Sequence, residues 1–555
     1  MKTKLLPVAL LALSPTLFAQ QPPSAGSQTQ QIPPAPIQQN AAPKIEVQQG
    51  GSAPTVQESD SVKIVVRQLK VTGAQAYSEA QLLAVTGFQQ GSNLSLSDLR
   101  GMAARIADYY HRHGYFVAQA YLPAQGIQDG VVTIAVIEGR YDKVTLRNQT
   151  NLSDRLANGM LDGLHSGDAI TAAPLDNHLL LLSDIPGVNT KATLVPGASV
   201  GTSDLIVDLV PGRRITGSVD ADNAGNRYTG AYRVGATVNL NNPTGHGDVA
   251  TLRALTSGSG LTYARASYQT QLGKATVGVA YSHLRYSLGK EFKPLRAHGT
   301  ANIASLFGAY PLIRSRDSNL YAVMGVDAKT FQDREDITPS VTDKRARVLY
   351  AGLHGNHRDG FGGGGLSSFS LTGFFGDLDI RTPSARAFDA LGPRTNGAYQ
   401  KLGFSASRWQ RVTDRFSLYG AIYGQVASKN LDVSEKMELG GMYAVRAYPE
   451  GEAYADQGFV ATLEGRMELP KFSERMPGQL QLIGFVDAGA VTVNKNPWTP
   501  GRNSRTLSGA GVGLNWYETN NFMVRTYYAF KLGNEMATSA PDKSGRFWIQ
   551  VVKFF

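Results

Sequence analysis

Apolar and polar residues alternate in stretches of about ten residues over most of the chain after residue 212, and Gly, Asn, Asp and Pro separate the stretches. Segment 459–469 has apolar side chains on one face and Thr462, Glu464 and Arg466 on the other. Such rows suit a strand between lipid and a polar lumen, where backbone groups must pair within a closed sheet. Residues 213–555 are therefore predicted to form a transmembrane antiparallel β-barrel, about 16 strands or slightly more.

Residues 61–212 have a mixed pattern of helical and strand periodicity, which occurs twice. Residues 61–138 predict the order β-α-α-β-β, with Ser95 and Asp98 forming a capping box at the start of the second helix. Residues 139–212 repeat this order. The pattern therefore predicts two small α+β domains of one plan, and their exposed sheet edges could accept an extended segment by β-augmentation.

The sequence pattern predicts no folded domain in the N-terminal 60 residues. Lys2 and Lys4 precede an apolar run, which predicts a secretory signal peptide over residues 1–19. Residues 20–60 are rich in Gln, Pro, Ser and Ala and show no good helix, so a flexible Pro/Gln-rich linker is expected. Beyond the signal peptide, no apolar run reaches the roughly 18 residues of a membrane helix.

Composition and short motifs exclude or disfavour several kinds of site. The 555 residues have a formal net charge of +10 and no cysteine, so disulfides and Cys-ligated zinc are excluded. The basic residues are scattered, which argues against nucleic-acid binding. A Gly-x-Ser-x-Gly match at 197–201 lies between two predicted strands, which is not the strand-to-helix turn that a nucleophile requires. No catalytic residue, metal site or cofactor is predicted.

One loop of the barrel region stands out, around residues 440–456, between strand-like segments 415–428 and 459–469. It contains Arg446, and Asp487 lies on the polar face of a later apolar strand. A carboxylate in a confined lumen needs a partner, and arginine can bind it with two hydrogen bonds. We expect the loop to fold inward and Arg446 to form a salt bridge with Asp487. The alternative is a solvated loop arginine and an unrelated lumen aspartate.

Two short motifs, in this order after a linker and two small domains, make the chain resemble a known family. The loop motif is Val445, Arg446, Ala447 and Tyr448, and the strand motif is Phe485, Asp487 and Gly489. Together they resemble the two-partner secretion transporters (TpsB, the haemolysin secretion/activation proteins) of the Omp85 superfamily. Ala447 stands where that family most often has glycine. The two small domains resemble POTRA domains, and the terminal Phe555 resembles an outer-membrane assembly signal.

The resemblance implies α+β POTRA domains in the periplasm followed by a barrel in the bacterial outer membrane. It implies a pore, not an enzyme, which recognises a haemolysin- or adhesin-like TpsA exoprotein and translocates it to the cell surface. Whether the exoprotein is also activated stays open. Expected contacts are outer-membrane lipid, lipopolysaccharide and, during biogenesis, the barrel assembly machinery. The alternatives are an Omp85-type barrel assembly factor and a passive porin, and the two small domains could be mere spacers.

Overall fold

The computed structural model describes residues 22–38, 44–47 and 62–555, and the predicted signal peptide lies outside these ranges. The first range contains a short helix, α1 (Ala25–Gln30), and the second is a strand, β1 (Lys44–Val47). The prediction of a flexible linker without a helix is wrong for both segments. Among the described residues, no helix is long and apolar enough to cross a membrane.

The helix was missed because it is held by tertiary contacts and has no apolar stripe. Ala25 and Gln28 are fully buried. A side chain at Gly26 would have its Cβ only 2.9 Å from Cβ of Ser434, so the two backbones approach closely. Six residues fall well below the length of about 12–15 at which an isolated helix persists in water. Sequence patterns report intrinsic propensity and amphipathicity, and this helix depends on neither.

The first small domain contains the predicted order with two additional strands, which pair with each other. Ser78 and Ser95 cap its two helices, and each side chain accepts a hydrogen bond from the third residue of its helix. The sheet order is β3-β6-β5, with a separate β2-β4 pair. The elements are β2 (Lys63–Val66), β3 (Gln68–Thr72), α2 (Glu79–Thr86), β4 (Ser92–Ser95), α3 (Leu96–Arg112), β5 (Gln119–Tyr121) and β6 (Val131–Ile137).

The second small domain repeats the order β-α-α-β-β around its own apolar core. Its sheet has the order β1-β8-β9-β7, so the segment 44–47 joins it as an edge strand. Residues 197–201 form the turn between β8 and β9, as their position between two predicted strands requires. The elements are β7 (Arg140–Asn148), α4 (Asp154–Leu161), α5 (Ala172–Ser183), β8 (Val188–Pro196) and β9 (Thr202–Pro211).

The rest of the chain forms a closed barrel of sixteen antiparallel strands, β10 to β25. One helix, α6 (Pro383–Leu391), lies between the ninth and tenth of these strands. The strands are β10 (Ile215–Asp222), β11 (Arg233–Asn241), β12 (Val249–Thr256), β13 (Leu261–Leu272), β14 (Ala275–Ser287), β15 (Ala297–Arg314), β16 (Ser318–Glu335), β17 (Ser340–Asp359), β18 (Gly365–Ile380), β19 (Gly397–Arg411), β20 (Phe416–Ala427), β21 (Gln457–Glu468), β22 (Gln479–Thr492), β23 (Ser504–Glu518), β24 (Phe522–Lys531) and β25 (Gly545–Phe554).

The two rims of the barrel differ. Because β10 directly follows the second small domain, the rim where β10 starts is the domain-side rim. There Arg314 binds Asp184 at 2.7 Å and Arg316 binds Asp176 at 2.8 Å, which fixes the domain to the barrel. The longer connections, including residues 428–456, leave from the opposite, far rim.

The outer wall of the barrel is apolar. Leu252, Met324 and Leu463 are each at least 60% exposed, although they lie in the middle of strands. The neighbours of Leu252 and Leu463 along their strands point inward and are polar. An apolar exterior around a polar interior is the arrangement expected of a barrel in lipid.

Candidate functional site in the barrel lumen

The connection between β20 and β21 does not extend from the far rim but folds back into the lumen. We call residues 428–456 the lumen loop. Most of its side chains are buried, and its only helical turn is a 3₁₀ turn at Val433–Glu435. Val445, Ala447 and Tyr448 are at most 1% exposed. A loop of this length, buried inside a pore, must be held by specific contacts with the wall.

Arg446 makes several of these contacts. Its Nη2 lies 2.7 Å from Oδ1 of Asp487 and its Nε lies 2.8 Å from Oδ2, which is a two-point contact. The backbone amide of Arg446 also donates to Asp487 Oδ2 at 3.1 Å. The Arg446 side chain is 5% exposed and that of Asp487 is 0% exposed. Two buried opposite charges with several hydrogen bonds give a geometrically specific contact.

Three inward-facing residues of β22 each receive a different part of the loop. The Phe485 ring lies 3.5 Å from the guanidinium carbon of Arg446, which is a cation–π contact. Asp487 binds the charge. At Gly489, an added Cβ would lie 2.4 Å from a methyl carbon of Leu439, so only glycine leaves room for that side chain. The three residues of the strand motif are every second residue of β22, so they lie on one face and together form a surface complementary to the loop.

The neighbouring strand β21 supplies a second carboxylate. Glu464 Oε1 accepts from Arg446 Nη1 at 2.8 Å, and the other oxygen of Glu464 lies 2.7 Å from Arg466. Thr462 Oγ1 donates to Asp487 at 2.9 Å. The result is a chain of alternating charges, Arg466–Glu464–Arg446–Asp487, whose formal charges cancel. Trp548 of β25 completes the contact by donating from its indole nitrogen to the Arg446 carbonyl at 2.7 Å.

The other residues of the loop motif are uncharged and form packing contacts and neutral hydrogen bonds rather than ion pairs. The amide of Val445 donates to the Leu439 carbonyl at 3.1 Å, which closes the loop on itself. Tyr448 donates from its hydroxyl to the Glu535 carbonyl at 3.1 Å. Ala447 has no positive φ, so alanine is free of backbone strain at this position. Its Cβ touches the wall at Gly509, where an added Cβ would lie 2.5 Å away.

The base of the lumen loop is held by wall lysines. Glu435 is 2.7 Å from Lys329 of β16 and 2.9 Å from Lys401 of β19. Asp432 is 2.7 Å from Lys344 of β17. Sequence reasoning missed all five residues, although lysines on inward-facing strand positions opposite an acidic loop could have indicated them.

The N-terminal segment 22–38 also lies in the lumen and runs along its length. At one end the Ala25 amide donates to Asp333, near the far-rim end of β16, at 2.7 Å. At the other end Gln38 donates to the Phe555 carbonyl, at the domain-side rim, at 3.1 Å. Between them Gln31 donates to the Tyr454 hydroxyl at 2.6 Å. The segment therefore contacts both the wall and the lumen loop.

Phe555 lies where the barrel closes. Strand β25 pairs with β10 from Phe554 opposite Ser218 to Gln550 opposite Asp222. The amide and carbonyl of Phe555 extend this ladder to Gly217. Its ring lies against the backbone of Gly217. The position is consistent with a terminal strand that closes the barrel, and the role of Phe555 as an assembly signal stays a prediction.

Comparisons with known proteins agree with this architecture. The sequence model of the family described as haemolysin secretion/activation protein ShlB/FhaC/HecB matches residues 201–516, and that of the ShlB-type POTRA domain matches residues 64–139. The heme/hemopexin transporter protein HuxB of Haemophilus influenzae is 28% identical over 98% of this chain and 97% of HuxB. The outer membrane transporter CdiB of Dickeya dadantii is 23% identical over 81% of this chain and 79% of that protein.

A solved structure supports the fold independently. The structure of CdiB from Escherichia coli matches with a TM-score of 0.67 over 91% of this chain and 93% of that chain. Its sequence identity of 21% limits this likeness to the fold.

A closed barrel with an apolar exterior, a filled lumen and small domains at one rim defines an outer-membrane transporter with periplasmic POTRA domains. The chain belongs to the haemolysin secretion/activation protein family. Its members are two-partner secretion transporters of the outer membrane, which secrete a partner exoprotein. The predicted fold class and function are thereby confirmed, and the assembly-factor and porin alternatives are set aside.

Proposed function

We propose that this transporter is closed at rest by the lumen loop and by segment 22–38, and that Arg446 is the contact that holds the loop in its closed position. The observation that supports this proposal is the buried two-point contact between Arg446 and Asp487, at 2.7 and 2.8 Å. A chain could not pass in extended form through a lumen that these two segments fill. Export therefore requires both to move.

Binding of the exported chain causes the lumen loop and segment 22–38 to move. An unfolded exoprotein docks its N-terminal secretion domain on the periplasmic POTRA domains and then threads through the lumen in extended form. The sequence offers no nucleotide-binding pattern, so the driving force comes from elsewhere. Folding of the exoprotein outside the cell traps each exported length and biases its diffusion outward.

The cargo is an exoprotein of the TpsA type, with haemolysin- or adhesin-like character. Full-length similarity to HuxB, named for heme and hemopexin transport, makes an exoprotein of heme acquisition a second cargo candidate. The protein itself performs no chemical reaction. Outer-membrane lipid and lipopolysaccharide surround the barrel, and the barrel assembly machinery inserts it by reading the strand that ends at Phe555.

The proposal is tested with a large exoprotein encoded beside this gene. The wild-type protein should release that exoprotein into the medium. Arg446→Ala should reduce release by about tenfold or more, because the loop loses its anchor, the buried Asp487 loses the cation of this contact, and Glu464 keeps only Arg466. Barrel folding is checked by heat-modifiable mobility and should not change.

Two control variants separate the contact from a general loss of charge. Arg408→Ala removes an arginine of β19 that binds Asp359 at 2.8 Å and is 35% exposed, and it should leave secretion intact. Arg446→Lys keeps the charge but not the planar fork, so it should restore little secretion. Normal secretion by a folded Arg446→Ala variant would contradict the gating role.

A further inference from the structure

The edge of the second POTRA-type sheet is already occupied by a strand from the same chain. Strand β1 pairs in parallel with β8, with Ile45 opposite Ala192, Glu46 opposite Thr193 and Val47 opposite Leu194. This strand belongs to neither small domain, because it precedes both in the sequence. The structure therefore shows directly that the β8 edge accepts an extended segment by β-augmentation.

The β1 strand is held much more weakly than the other strands of the sheet. Ile45 is only partly buried against the core of the second domain, and Val47 is 46% exposed. The Glu46 carboxylate lies 3.0 Å from Lys191, but both side chains are about half exposed. An exposed ion pair of this kind contributes about 0–1 kcal/mol. The strand can therefore leave without disturbing the core.

The opposite edge of this sheet is less suited to a guest strand. Strand β7 has a register irregularity between Tyr141 and Val144. Asp142, which lies inside that irregularity, accepts a hydrogen bond from the Ala198 amide. An irregular edge strand is a common way to prevent further strand addition. Of the two edges, only the one at β8 is regular enough to continue the ladder.

Strand β1 is also connected to the segment inside the pore. Only residues 39–43 separate it from segment 22–38, so the α-carbons of residues 38 and 44 lie within about 20 Å of each other. Pairing at the β8 edge therefore tethers the lumen segment at the periplasmic rim. Removing β1 from that edge would lengthen the tether on the side from which the exoprotein enters.

We propose that the β8 edge is a docking edge for an extended segment of the secreted exoprotein, and that β1 is a built-in competitor which the exoprotein displaces. The segment that fits is an alternating one, with an apolar residue over the core at the position of Ile45 and an acidic residue facing Lys191 at the position of Glu46. Displacement frees segment 22–38 to leave the lumen, so docking and opening are coupled. This inference rests on the proposed export function.

A reversible crosslink tests the displacement. Neighbouring strands lie about 4.8 Å apart, which is within the range of a disulfide, so Glu46→Cys with Thr193→Cys should lock β1 in place. The chain has no other cysteine. We expect the oxidised full-length protein in detergent to bind the neighbouring-gene exoprotein about tenfold more weakly than wild type, and reduction to restore binding. Secretion by cells should follow the same pattern.

The matched control places a disulfide in the same sheet, between strands that need not separate. Asn189→Cys with Val210→Cys joins β8 to β9, where these residues are paired, and should bind the exoprotein as wild type does. A locked β1 with undiminished binding would overturn the inference. If wild type itself neither binds nor exports the exoprotein, the proposed function fails instead, so the two failures are distinguishable.

A second variant acts in the opposite direction and does not depend on oxidation. Ile45→Asp places a carboxylate against the apolar core and should release β1 from the edge. Since the tethered competitor is then gone, exoprotein binding should become tighter by about threefold or more. Unchanged or weaker binding by a folded Ile45→Asp variant would show that β1 is only a structural strand.

Discussion

The two ends of the lumen loop are held by opposite arrangements of charge. At the tip, the loop supplies the cation, Arg446, and the wall supplies the carboxylates Asp487 and Glu464. At the base, the loop supplies the carboxylates, including Glu435, and the wall supplies lysines such as Lys401. This polarity allows the loop to enter the lumen in only one orientation, because a reversed loop would place like charges together.

The two ends also differ in how exact the contact must be. The guanidinium at the tip is planar, bound at two points and stacked on a ring, so small displacements break several contacts together. The ammonium groups at the base are point charges on flexible chains, and Glu435 has two of them. We therefore expect the tip to act as a specific latch and the base to act as a redundant anchor.

The largest effect should follow from removing the wall carboxylate of the tip. Asp487→Ala leaves Arg446 with only one carboxylate partner at this contact, and breaking a buried pair costs about 3–5 kcal/mol. A cysteine at Ala444, which is 7% exposed, reports on the position of the tip because the chain has no native cysteine. A membrane-impermeant maleimide should label this cysteine on intact cells only when Asp487 is replaced.

The control for this variant is Asp359→Ala. Asp359 also binds an arginine, but it lies at the domain-side rim and is 25% exposed. The tip cysteine should stay protected there. Protection in Asp487→Ala as well would mean that the latch is not held by this pair.

The redundancy of the base is tested by removing its lysines one at a time. Lys401→Met leaves Glu435 paired with Lys329 and should change little. Lys329→Met with Lys401→Met leaves Glu435, which is 3% exposed, without either lysine, and should cost up to about 3 kcal/mol, since the carboxyl can take up a proton instead. A nearly isosteric Ser434→Cys reporter at the base should become labelled in the double variant only. Equal labelling in the single variant would contradict redundancy.

Disturbing the packing at the tip should have a smaller effect than removing the charged contact there. Gly489→Ala places a methyl group where Leu439 packs, and overpacking of this kind costs about 1–3 kcal/mol. Gly484 is the matched control on the same strand, because nothing lies within 4 Å of a Cβ added there. Secretion and tip protection should fall in Gly489→Ala and stay normal in Gly484→Ala. If both variants behaved alike, the packing of Leu439 against Gly489 would not contribute to holding the tip.

Much of this architecture follows from local patterns along the chain. The order β-α-α-β-β occurs in both small domains, and Ser95 and Asp98 form the predicted capping box at the start of α3. The alternation of residues also places Asp487 inside the barrel, and the structure brings Arg446 into contact with it. These features depend on residues that are close together in the sequence or that form a short motif, so they can be recognised in a single sequence.

What the sequence did not reveal depends on relations between distant strands. Alternation indicates that Glu464 faces the lumen, but only the strand register brings it diagonal to Asp487, since Thr462 is opposite Asp487. Lys329 and Lys401 lie on strands that are not adjacent, and only barrel closure brings both to Glu435. Helix α1 is polar and short, so no periodicity marks it. Closure and register are properties of the whole sheet.

The smallest effect concerns a single neutral hydrogen bond at the tip. Trp548→Phe removes the indole donor to the Arg446 carbonyl but keeps an aromatic ring, so the expected loss is about 0.5–1.5 kcal/mol. The temperature at which the cysteine at Ala444 becomes labelled should fall slightly, with secretion retained. Trp516→Phe removes an equivalent bond, from the indole to the Pro477 carbonyl at the domain-side rim, and should not move that temperature. If Trp548→Phe released the tip completely, the closed position would depend on the Arg446 backbone more than on its guanidinium.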